Sequence, residues 1–149
     1  MGIFQNIDTT PPISITWKEL MNLIATFKRQ IQGYQVQFAS DATAGVLISM
    51  TAGLASYRSK LAAYSSVSEL TTFAQTELSN PSVDMVAYIQ SLTAAIDAVL
   101  AWISGAVPSS GGYNLIIKIN SDGTYTWRVF TASQLAGLRA QLVTLLAAI

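Results

Sequence analysis

Four runs in this chain repeat an apolar side chain every three or four residues, and that rhythm belongs to helices packed along a seam. Trp17, Leu20, Ile24, Phe27, Ile31, Tyr34 and Phe38 step strictly by three and four. Leu47, Met50, Leu54, Tyr57, Leu61 and Tyr64 form the second run. Met85, Ile89, Leu92, Ile96, Val99 and Ile103 form the third, and Leu135, Leu138, Leu142, Leu145 and Ile149 the last. An alternating strand places every second side chain on one face and cannot gather these sets, whereas a helix does. Tyr88 and Trp102 flank the third stripe and broaden it, which favours a globular bundle over one extended coiled coil.

The intervals between the stripes carry stop and start signals. Thr16-x-x-Glu19 has the capping-box pattern and is expected to open the first helix. Ser40-Asp41 fits a short connection. Ser66-x-x-Glu69 repeats the pattern before a short helix with Leu70, Phe73, Ala74 and Leu78, which stops before Asn80-Pro81. Ser82 is the expected cap of the next helix, and Gly105 and Pro108 end it. Thr131-x-x-Gln134 opens the last helix.

Between Gly112 and Thr131 the period changes to two. With Ser121-Asp122-Gly123 as a three-residue loop, Ile119 faces Tyr125, Ile117 faces Trp127 and Leu115 faces Val129. Those six side chains then share an apolar face opposite Lys118, Thr126 and Arg128, and Gly123 takes the left-handed conformation. The apolar face is expected to dock on the bundle or on a neighbouring subunit.

Residues 1–15 read as an extended N-terminal arm. Pro11-Pro12 disfavours helix, and Ile3, Phe4, Ile7, Ile13 and Ile15 follow no period. The expected fold is therefore mainly α: a helical bundle of four to five helices, with one β-hairpin over about 113–130 before the C-terminal helix. The arm occupies 1–15 and a single bundle domain occupies 16–149.

Composition removes most chemistries. The 149 residues include no cysteine and no histidine. Disulfides, thiolate nucleophiles, Ser-His-Asp and Cys-His arrangements and the commonest nitrogen metal ligand are thereby excluded. Glu69 and Glu77 sit eight residues apart on one short helix, about 12 Å along the axis, too far for a paired-carboxylate glycosidase. Asp97 shares helical spacing with Gln90, Thr93 and Ser104, which reads as a polar stripe, either solvated or between helices. Gly111-Gly112 lacks the lysine and the following helix of a phosphate-binding loop. No enzyme activity, cofactor, metal or small-molecule substrate is expected.

Partners follow from charge. Charged residues make up 11% of the chain, against about 25% in a typical soluble domain. Eight basic and eight acidic side chains cancel, so little like-charge repulsion separates copies. Eight scattered cations give no footprint for nucleic acid. Val86 to Val107 carries one formal charge, Asp97, but its recurrent polar positions argue against a membrane span. The opening Met1-Gly-Ile-Phe-Gln-Asn6 lacks the pattern of a secretory signal.

The stretches Leu61-Ala-Ala-Tyr-Ser-Ser-Val-Ser-Glu-Leu70 and Ala132-Ser-Gln-Leu-Ala-Gly-Leu-Arg-Ala140 give the chain a particular character. Rich in small and hydroxyl residues and free of Cys and His, it resembles small accessory proteins of tailed-bacteriophage virions. That resemblance implies a structural subunit of a connector, tail, fibre attachment or capsid, located in the virion or the host cytoplasm. The expected partners are further copies of the chain and other structural proteins. Candidate contact residues are Ile3, Phe4, Ile7, Ile13 and Ile15 of the arm, Ile117, Tyr125 and Trp127 of the hairpin, and Ile149. Association with a membrane is the alternative reading.

Overall fold

The computed structural model describes residues 12–39, 43–105 and 113–149. Among these, five helices and one hairpin follow in chain order: α1 (Pro12–Ala39), α2 (Thr43–Tyr64), α3 (Glu69–Glu77), α4 (Met85–Ser104), β1 (Tyr113–Ile119), β2 (Tyr125–Phe130) and α5 (Ala132–Ala148). The four long helices form an up-down-up-down bundle. α1 runs antiparallel to α2, with Phe27 against Tyr57 at a ring separation of 5.0 Å and the Tyr34 hydroxyl donating to the Ser49 carbonyl at 3.0 Å. α2 packs on α4, α4 on α5, and α5 back on α1, which closes the ring. The short α3 lies against α1 and α4, where Phe73 meets Trp17 at 5.8 Å.

The heptad stripes are the core. All six stripe residues of α4 are buried, as are Leu20, Phe27, Ile31, Tyr34 and Phe38 of α1. Leu47, Met50, Leu54 and Leu61 of α2 and Leu135, Leu138, Leu142 and Leu145 of α5 are buried with them. Trp17, Ile24, Tyr57, Tyr64 and Ile149 lie at the margin, partly buried and packed on the same cluster. Glycine sets two of the spacings. Gly53 leaves room for the Tyr34 hydroxyl, and Gly137 lets the Trp102 ring approach the backbone of α5.

The helix starts depart from the expected caps in three of four cases. α1 begins at Pro12, so Pro12 to Ile15 are helical and not part of an extended arm. Proline suits a first turn, because its fixed φ is helical and the N–H it lacks has no partner there. Thr16 consequently lies inside the helix; Ile3, Phe4 and Ile7 lie outside the described residues. At α3 the cap position is Ser68, whose backbone is already helical (φ −62°, ψ −28°) and whose side chain makes no capping bond. Consecutive turn bonds run from Ala62 to Leu70 through this segment. Ser66 instead donates to the Ala63 carbonyl. α4 is capped by Asp84, not Ser82: Asp84 is extended (φ −128°, ψ 99°) and accepts from the Ala87 N–H at 3.0 Å. The Thr131–Gln134 box before α5 forms with both bonds, at 3.1 and 2.8 Å.

Helix ends are finished from elsewhere in the chain. None of the five described helices has a basic residue in its own last turn. Arg139 on α5 donates through Nε to the Phe38 carbonyl at the end of α1 (3.1 Å), and its guanidinium stacks 5.1 Å from the Phe38 ring centre. Arg128 on β2 donates to the Ser104 carbonyl at the end of α4 (3.0 Å). Each brings a cation to the negative end of a helix. α3 ends differently. Ser79 takes a positive φ of 50°, with Asn80 N–H bonded to the Gln75 carbonyl and Ser79 N–H to that of Thr76. That is a Schellman closure with serine at the position glycine usually holds.

Candidate assembly surface

The hairpin occupies the connection between α4 and α5. Its tip forms as the sequence predicts: Ile119 pairs with Tyr125, the Asn120 N–H bonds the Thr124 carbonyl at 2.8 Å, and Gly123 has φ +85°. Asp122 accepts from both the hydroxyl and the N–H of Thr124, at 2.6 and 3.0 Å, and these bonds hold its carboxyl below the ordinary range.

Beyond the tip the expected register fails. The pairs are Lys118 with Thr126, Ile116 with Trp127, Leu115 with Arg128 and Asn114 with Val129, with Ile117 as the extra residue of a bulge. In the regular register Ile117 and Phe130 fall on opposite faces. The bulge turns both inward, where they are 4% and 1% exposed. The face of β2 that meets the bundle is therefore Thr126, Arg128 and Phe130. Of the two expected docking sites for the apolar face, the bundle is ruled out for Tyr125 and Trp127, which stay exposed, and Ile117 leaves that face.

What remains outside is an apolar sheet face. Ile119, Tyr125 and Trp127 are 55%, 51% and 46% exposed. Ile119 and Tyr125 are directly opposed across the strands, and the Tyr125 and Trp127 rings meet edge to face at 6.3 Å. Ile116, half-buried, adjoins Trp127 in register. Tyr113 is also exposed, at the opposite end of β1 from the loop, while Val36 on α1 and Val143 on α5 lie on separate elements, and scattered residues of that kind are ordinary on protein surfaces.

The remaining candidates divide. Ile13 packs on the core of its own chain, as does Ile149, whose carbonyl accepts the Tyr88 hydroxyl at 3.1 Å. Ile117 is consumed by the bulge. Ile15 is exposed on the first turns of α1, on a different element from the hairpin. Among the described candidates, Tyr125 and Trp127 are the two brought together at the surface. Ile119, their exposed neighbour, is absent from the candidate contact residues; its place beside the loop, opposite Tyr125, is the sequence signal that points to it.

Asp97 lies on the polar side of α4 and reaches α2, where Arg58 donates to both its oxygens at 2.8 and 3.1 Å. It is an inter-helix polar contact, as its spacing suggests. α4 is also long and apolar enough to cross a membrane by length and composition. Its six stripe side chains are nonetheless all spent on this chain's own core.

No protein-family model, curated protein or solved structure matched this chain.

Proposed function

We propose that this protein is a non-enzymatic assembly subunit that self-associates through the outer face of its hairpin. The exposed cluster of Ile119, Tyr125 and Trp127 carries this reading. Two aromatics and a β-branched residue on one open sheet face are the kind of side chains that anchor interfaces. A second copy is the favoured occupant because eight positive and eight negative charges cancel over the whole chain, so copies approach without net repulsion. A two-fold arrangement sets the same patch against itself and closes the assembly at a dimer. The compositional likeness to accessory virion proteins supports a role as a structural component of a bacteriophage particle, where the subunit also contacts other structural proteins.

Light scattering over a range of concentrations tests the reading. The wild type is expected to run as a defined oligomer without detergent. Trp127→Ser is expected to weaken association about 30-fold or more, the loss typical of an aromatic anchor truncated at an interface centre, while circular dichroism and thermal midpoint stay at wild-type values. A monomer at every concentration sinks the proposal, and so does an oligomer indifferent to Trp127→Ser. A protein that leaves the aqueous phase unless detergent is present favours the membrane reading instead.

A further inference from the structure

A groove of about 460 Å3 runs between α2, the C-terminal turn of α4 and β1. Ala52 and Ala55 lie along α2, with Ile48, Leu100, Ile117 and Ile119 completing an apolar lining. The polar groups at its edge are nearly all occupied. Thr51 donates its hydroxyl to the Leu47 carbonyl at 2.7 Å, and Arg128 takes the Ser104 carbonyl. One turn beyond Ala55, the paired charges of Arg58 and Asp97 bridge the two helices. Lys118 is the one charged residue that lines the groove, and no carboxylate pairs with it among the described residues.

A concave apolar trough with a single cation selects a definite ligand chemistry. Water in the trough gains little from its lining, while an alkyl chain laid there leaves bulk water. A cation with no partner on the rim then favours an anionic head. We propose that this groove binds a monomeric, single-chain amphiphile with one negative charge, of the fatty-acid type, its chain along Ala52 and Ala55 and its carboxylate at Lys118. The groove shares Ile119 with the hairpin's outer face, so the variants that separate the two proposals are those on α2 and Trp127→Ser, which each touch one site alone.

Calorimetric titration with octanoate, decanoate and dodecanoate, each below its micelle concentration, tests it. Affinity is expected to rise about fourfold per methylene until the groove is full, the gain for burying one CH2 group. 1-Decanol is expected to bind a few-fold more weakly than decanoate. Lys118→Gln is expected to lose a similar factor and Lys118→Arg to restore it, as for a solvent-exposed ion pair. Ala55→Leu fills the trough from an exposed helix position and is expected to weaken binding at least tenfold with helix content unchanged; Ala52→Leu is the second blocking variant. Trp127→Ser is expected to bind as the wild type does. The proposal is overturned by the absence of heat with millimolar decanoate, or by wild-type affinity in both blocking variants. Loss of binding in Trp127→Ser overturns it too, as does binding to anionic vesicles without binding of the monomeric acid.

Discussion

A methyl group added at residue 33 and one added at residue 137 have opposite consequences, although both positions are helical glycines. Nothing lies within 4 Å of a Cβ built on Gly33, on the exposed side of α1. Alanine there recovers helix propensity, about 1 kcal/mol. On α5 a Cβ at Gly137 would stand 2.5 Å from Trp102 Cζ2 and 3.1 Å from Cη2. The indole is packed on the core, so relief requires moving a ring or a helix, which costs about 1–3 kcal/mol. That cost outweighs the propensity gain. Gly33→Ala is expected to raise the urea midpoint and Gly137→Ala to lower it. A stabilised Gly137→Ala would show that α4 and α5 are farther apart than described. Sequence gives these glycines the same appearance, because the difference belongs to a residue on another helix.

At the scale of elements, what was readable depended on how many residues carried each signal. A stripe such as Met85 to Ile103 is stated six times over, and no local backbone choice can hide it. A cap rests on one residue's backbone. Thr131 is extended (φ −78°, ψ 164°) and its hydroxyl accepts from the Gln134 N–H, whereas the Ser66 pattern falls in a wound segment and closes nothing. Thr131→Ala is therefore expected to cost about 1 kcal/mol, within the range for lost caps. Ser66→Ala is expected to leave the denaturation midpoint within experimental error. Equal losses would mean that the two helix starts are alike after all. The candidate surface was half legible for a similar reason. Asp122-Gly123 announces the turn and fixes Ile119 opposite Tyr125, but no glycine or proline marks the bulge at Ile117. Alternation carried past that residue groups Ile117 with Tyr125 and Trp127 on one face, whereas the bulge sends Ile117 to the bundle and leaves both aromatics exposed. The competing demand came from Phe130 and Arg128, whose partners lie on the bundle and are invisible in a strand pattern.

For the whole molecule, the long-range polar contacts tie the end of the chain to its earlier helices. The Tyr88 hydroxyl reaches the Ile149 carbonyl, and burial holds that phenol above its ordinary value of 10.0. A raised acid favours the protonated form in the folded state. Its contribution is intact below pH 10 and is lost as pH rises through the folded value. The urea midpoint is expected to hold steady to about pH 10 and to fall above it, with a shallower fall in Tyr88→Phe. Tyr64, also raised by burial with Glu19 nearby, contributes to the same limb, so the slope in that variant is reduced and not abolished. An unchanged alkaline slope would place the Tyr88 ring in water. The arginine that finishes α1 comes from α5, at a sequence separation of 101 residues, and this has a consequence for synthesis. On the ribosome, α1 emerges well before α5 and waits for Arg139 with the carbonyl at Phe38 uncovered and one side of its apolar stripe unmet. Because α5 completes the ring, the bundle interior is closed only once α5 has docked, closer to the shutting of a clasp than to growth from one end. A nascent chain arrested before β2 would thus display the interior of the bundle to chaperones.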